Sequence, residues 1–132
     1  MSLVALPPNA TPEAPRIEEI LRAVIAGYAH LGVTYEGITD QQRYDRTTTR
    51  VRLILAALLY GFGYSVHDLA RLLRASTRTA YRYLDRAAEE MTRTPDVRAA
   101  VDFFYRLLVQ RQQAVHEQDD TTPSRRVKGP KL

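Results

Sequence analysis

The sequence predicts an all-α domain of about five helices containing a helix-turn-helix, on three observations. Apolar residues recur at helical spacing in successive segments between residues 16 and 117. No segment alternates apolar and polar residues over the length of a strand, so neither a sheet nor a wing is expected. Between Ser65 and Ala88 two short apolar-periodic stretches are separated by Arg74-Ala75-Ser76, each with its own capping residue.

The elements follow in order. Ile17, Ile20, Leu21, Val24, Ile25 and Tyr28 mark a first helix over about Arg16 to Leu31, ended by Gly32 in the position of a left-handed cap. Val33, Tyr35 and Ile38 form a small apolar cluster with one helical turn, and Thr39 to Arg46 reads as a polar loop. A second helix runs from about Thr47 to Tyr60, its threonines offering N-caps, its stripe formed by Val51, Leu55, Leu58, Leu59 and Phe62, its stop by Gly61 and Gly63. Ser65-Val-His-Asp68 resembles a capping box and opens a short helix with Val66, Leu69, Leu72 and Leu73 inward. Ser76 caps the next helix, Thr77 to about Met91, with Ala80, Leu84, Ala87, Ala88 and Met91 inward. Thr94-Pro95 starts the last and longest helix, with Val97, Val101, Phe104, Tyr105, Leu108 and Val115 along one side.

Residues 1–15, with four prolines and no periodicity, and residues 118–132, polar and basic, are expected to be disordered, leaving one domain over 16–117. The 132-residue chain is long enough to bury a core without staples, and it has no cysteine, which excludes a disulfide framework and a cysteine zinc site. Its net charge of +4, from 19 basic and 15 acidic residues, favours a polyanionic partner only mildly, so distribution has to carry the argument. Ser2 to Pro8 is too short for a secretory signal and lacks a basic leader, and no run approaches the roughly 20 apolar residues of a membrane span. A cytoplasmic protein without a membrane partner is expected.

The segment SVHDLARLLRASTRTAYRYLDRA has the spacing of a helix-turn-helix. Ala70 is small where the second helix crosses above it, while Leu69, Leu73, Ala80 and Leu84 pack into the shared core and fix the crossing. Thr77, Arg78, Tyr81, Arg82 and Asp85 are then left outward, on the side that enters a major groove. Arg78 and Arg82, four apart, suit guanine edges. Ser76 and Thr79, with the free amides of the helix N-terminus, suit a phosphate. The bland alternative is a solvated basic face on a structural helix pair. It loses ground because small residue, turn, cap, core pattern and basic face coincide.

LARLLRASTRTAYR resembles the helix-turn-helix of many bacterial and phage regulators, which carry glycine where this chain has Arg74. Arginine there implies either a slightly different turn or a backbone conformation that costs about 1 kcal/mol relative to glycine. The longer layout, with HLGVTYEGI closing the first helix, a basic loop, and YSVHDLARLL before the second motif helix, is similar to the C-terminal DNA-binding domain of the replication initiator DnaA, itself like the Trp repressor fold. That resemblance implies a minor-groove arginine from the loop, a role open to Arg43, Arg46 or Arg50. The initiator's Asp-His-Thr signature is replaced by Thr77-Arg78-Thr79, which implies a different target sequence.

The histidines His30, His67 and His116 show no metal-ligand spacing, so neither metal nor cofactor is expected. No nucleophile, base and orienting group can be assembled, so no enzyme is expected. Tyr81 is the better candidate for DNA contact and Tyr83 for packing. The tail Ser124 to Lys131 adds at most nonspecific phosphate attraction. The apolar surface of the last helix, including Phe104 and Leu108, is suited to closing the core, to forming a two-fold homodimer, or to both. The expected function is sequence-specific binding of double-stranded DNA in transcription or replication control, of phage or mobile-element type. The alternative is a helical adaptor that docks a polymerase or replication helicase through Tyr81, Tyr83 and the last helix.

Overall fold

The computed structural model describes the backbone of residues 14–124 and the side chains of residues 14–114. Among these residues six α-helices follow one another: α1 Ile17–Tyr28, α2 Tyr35–Thr39, α3 Arg46–Gly61, α4 Val66–Leu73, α5 Thr77–Arg93 and α6 Pro95–Ser124. A 3-10 turn, Ala29–Leu31, closes α1, and Gly32 follows it at φ 86°, ψ 12°, in the expected left-handed cap. No strand occurs among the described residues. The all-α class is as expected, and the single turn around Ile38 is a short helix in its own right. No described helix is long and apolar enough to cross a membrane.

The chain is organised around α3, which touches each of the other five helices. Every residue from Val51 to Leu59 is buried, so the expected one-sided stripe is in fact a helix enclosed on all sides. Around it α1 contributes Ile20, Ala23 and Val24, α4 contributes Leu69, Ala70 and Leu73, α5 contributes Ala80, Ala87 and Met91, and α6 contributes Val97, Val101, Phe104 and Leu108. Each fully buried aliphatic side chain adds about 1.5–3 kcal/mol of transfer free energy. α1 and α6 approach closely at Gly27, where an added Cβ would stand 2.6 Å from the Phe104 ring.

Several expectations shift. Ala88 is exposed and Leu84 only half-buried, because the buried arc of α5 is narrow and centred on Ala80, Ala87 and Met91. Pro15 is not part of a loose end: it is buried, and its carbonyl accepts from the Tyr64 hydroxyl at 2.7 Å. α6 continues to Ser124, past the expected domain end at 117, since no glycine or proline interrupts it between Asp96 and Thr122. Residues 1–13 and 125–132, which hold most of the two expected tails, lie outside the described residues, as do the side chains of Val115 and His116. The N-cap of α3 is Asp45 rather than a threonine, its carboxylate accepting from the Thr48 amide at 3.0 Å. Thr94 turns its hydroxyl back to Glu90, while its carbonyl takes the Val97 and Arg98 amides that open α6.

The turn between α4 and α5 is built on Arg74, at φ 54° and ψ 46° the one non-glycine residue with positive φ among those described. The Ala75 amide reaches back to the Ala70 carbonyl at 2.9 Å and the Arg74 amide to the Arg71 carbonyl at 3.2 Å, the paired bonds of a Schellman ending. Arginine occupies the position that glycine fills without a Cβ penalty. Arg74→Gly is therefore expected to raise stability by up to about 1 kcal/mol in equilibrium urea unfolding. A loss of stability would show that the Arg74 side chain contributes more than its backbone costs.

Candidate nucleic-acid interface

The α4–turn–α5 unit is capped at both helix starts. The Ser65 hydroxyl accepts from the Asp68 amide at 3.2 Å and the Asp68 carboxylate accepts from the Ser65 amide at 3.0 Å, a complete capping box. These bonds, the backbone one foremost, hold the Asp68 carboxyl below the usual aspartate range. The Ser76 hydroxyl accepts from the Thr79 amide at 3.1 Å and caps α5. Leu69, Ala70, Leu73 and Ala80 are buried between the two helices and α3. Ser76, Arg78, Tyr81, Arg82 and Asp85 are exposed, and Thr77 and Thr79 half-buried. The outward face of α5 thus carries the residues its spacing predicted.

A residue that sequence reasoning passed over anchors the segment before this unit. Arg52, second residue of the buried run that opens at Val51 in α3, is 1% exposed, and all five of its N–H donors are used. Nε donates to the Ile38 carbonyl at 2.9 Å, Nη2 to the carbonyls of Gly37 at 3.1 Å and Asp40 at 2.7 Å, and Nη1 to the Arg43 carbonyl at 2.7 Å and the Tyr83 hydroxyl at 3.3 Å. These carbonyls belong to the end of α2 and the loop after it, where a helix leaves acceptors unpaired and carries partial negative charge. The guanidinium also lies 6.0 Å from the Tyr83 ring centroid, at the limit of a cation–π contact. Gln41 fastens the same loop to the motif, donating to the Leu73 carbonyl at the end of α4 at 2.8 Å.

The loop and the first turns of α3 face α5 across an open groove. Arg46 and Arg50 line one side and Arg82 and Arg86 the other, with Tyr44 at the rim and Tyr83 in the floor. None of the four arginines has an acidic partner within 4.0 Å among the described residues. Of the loop arginines proposed for DNA, the structure therefore brings Arg46 and Arg50 to the groove but not Arg43. Arg43 donates through Nε to Asp45 at 2.7 Å, and its guanidinium lies against Gly37. Arg78 and Tyr81, the latter 55% exposed, stand on α5 outside the groove lining. Arg86 and Tyr44 were missed. The first was legible as the next step of the Arg78, Arg82 spacing; the second, 72% exposed in a loop, gives no periodic signal.

Of the residues expected to face a protein partner, Tyr81 is 55% exposed on α5. Tyr83 is half-buried against Arg52, and Phe104 and Leu108 are buried within the chain, where they close the core. The exposed aromatic of α6 is Phe103, at 61%. Among the described residues no three His, Cys, Asp or Glu side chains are grouped to hold a metal ion. No family model, curated protein or solved structure matches the chain.

Two outcomes are expected from this geometry. Asp45 is pulled from the ordinary aspartate value of 3.8 to about 2, chiefly by the Arg43 hydrogen bond and then by the Thr48 amide. A depressed carboxylate stabilises the fold above its unfolded value, and that contribution is lost as pH falls from about 3.8 toward about 2. An NMR titration should place the Asp45 midpoint near 2, and Arg43→Ala should raise it, leaving the Thr48 bond in place. Arg52→Leu removes the guanidinium donors from four carbonyls, of which those of Gly37 and Asp40 keep a backbone amide, and should cost roughly 3 kcal/mol or more in urea unfolding. Tyr83→Phe, which removes one long hydrogen bond, should cost under about 1 kcal/mol.

Proposed function

We propose that the chain binds double-stranded DNA sequence-specifically through α4 and α5, and acts in transcription or replication control rather than as an enzyme. The observation that carries this reading is the outward face of α5. Arg78, Tyr81 and Arg82 project from a helix whose N-terminus is capped by Ser76 and whose inner face is fixed by Ala80, Ala87 and Met91. A helix seated in this way through a tight turn matches the demands of major-groove entry, with N-terminal residues deepest. Neither Arg78 nor Arg82 is tied to an acidic neighbour among the described residues, so no ion pair has to be broken to present them to base edges. The layout noted above, similar to the replication initiator's C-terminal domain, supports an operator- or origin-binding role, and the Thr77-Arg78-Thr79 start of α5 supports a target of its own.

The test is selection of bound duplexes from a random pool at near-physiological salt, with wild type and an Arg78→Ala/Arg82→Ala variant side by side. Wild type should enrich one motif and the variant should lose it, each arginine accounting for about 1–3 kcal/mol of discrimination at its base pair. A palindromic motif would identify a homodimer reading two half-sites about one DNA turn apart. Binding without an enriched motif, or enrichment that survives in the variant, would remove the base-reading role of α5.

A further inference from the structure

We infer that the groove between the N-terminal turns of α3 and the middle of α5 is a seat for the DNA sugar-phosphate backbone, adjoining the base-reading face, with which it shares Arg82, and otherwise formed by Arg46, Arg50 and Arg86. The inference deepens the DNA-binding reading and rests on it. Its first support is the pairing of rows. Arg46 and Arg50 are four residues apart on α3, as are Arg82 and Arg86 on α5, and all four line one concave surface. Four helical residues rise about 6 Å. One DNA strand advances about 3.4 Å of axis per phosphate. Each row therefore spans roughly two phosphates of a strand laid along the groove.

The second support is electrostatic. The groove holds four guanidinium groups against one carboxylate, Glu90, which is already engaged by the Thr94 hydroxyl. The ion pairs among the described residues, Arg43–Asp45 and Arg71–Asp68, lie outside the groove lining and do not neutralise its four cations. Like charges held together on a concave surface favour an anion that several of them share. Thr49 and Thr79 also line the groove and add hydroxyls suited to phosphate oxygens.

The third support is rigidity. The loop leading into Arg46 is fixed by the Arg52 bonds and by Gln41 on the Leu73 carbonyl, and the facing helix is reached by the same guanidinium through Tyr83. The two walls are held in register before any ligand arrives, so binding does not have to order them.

The seat is tested with Arg46→Ala, Arg86→Ala and the double variant, all at exposed positions with no intramolecular partner, so thermal melts should match wild type. Affinity for the selected duplex and for an unrelated duplex is measured across a salt series, and the selected motif is determined for each variant. Each substitution should weaken both duplexes alike, lower the magnitude of the log K versus log salt slope by about 0.9, and leave the motif unchanged. Arg78→Ala should instead alter the motif. If wild type binds DNA and the groove variants retain its affinity and slope, the seat is refuted while the DNA reading stands. A changed motif would make these arginines base readers and equally refute it. Failure of wild type to bind any duplex removes both. Inorganic tripolyphosphate, followed by thermal shift, separates the remaining source: variants that lose its binding but keep wild-type duplex binding would assign the groove to a free polyphosphate instead.

Discussion

A charged guanidinium taken fully out of water carries a desolvation cost of several kcal/mol unless its donors are met. Arg52 meets that cost without a carboxylate. Its five donors go to four backbone carbonyls and a phenol, and the carbonyls gathered at the end of α2 supply the compensating negative potential of a helix C-terminus. The bargain runs both ways, since Arg52 supplies a donor to the Ile38 and Arg43 carbonyls and a second donor to those of Gly37 and Asp40, which also accept backbone amides. Because the partners are backbone atoms, the interaction fixes the path of a chain segment rather than the pose of one side chain. The path determines where Asp45 caps α3, and so where Arg46 and Arg50 project.

This arrangement shows what the amino-acid sequence makes legible and what it hides. Periodic apolar residues located α1, α3, α4, α5 and α6 because burial of one face repeats every three to four residues. The caps at Ser65 and Ser76 were legible because they depend on bonds three residues long, within reach of a local pattern. Arg74 was legible as a departure from the expected glycine, whereas its left-handed backbone, rather than an altered turn, is a finding of the structure. Arg52 was hidden because its partners lie nine to thirty-one residues away, although an arginine inside the run Val51 to Leu59 is itself a sign of a charge with a built environment. The pairing of Arg43 with Asp45, which withdraws it from the groove, depends on the loop's path and could not be separated from the alternatives Arg46 and Arg50 before that path was known.

The surroundings of α5 divide into two kinds of surface for a physical reason. The N-terminal turns, which follow the Schellman ending of α4, present Arg78 and Tyr81 outward. One to two turns further on, α5 passes the start of α3, and Arg82 and Arg86 face Arg46 and Arg50 across a concavity. A convex helix end and a concave cationic groove make different demands on a partner. The first offers a few donors to a narrow target and discriminates, while the second offers shared charge to any strand that fits and does not.

Placing both on one helix couples them. Displacing α5 relative to α3 would shift the projecting arginines and the groove wall together, so the positions of the two surfaces are not independent. Three contacts resist such a displacement: the Ala80, Ala87 and Met91 packing, the Schellman bonds of the turn, and the reach of Arg52 to Tyr83. The first two act on α5 from the core and from α4, and the third from the loop that also carries Tyr44 and leads into Arg46. Among the described residues Arg52 is therefore the one whose side chain is bonded to both walls of the groove, and its burial ties together a cationic surface where few ion pairs are formed. An apolar residue of similar size at that position would fill the space in α3 but leave the loop and α5 without a common anchor.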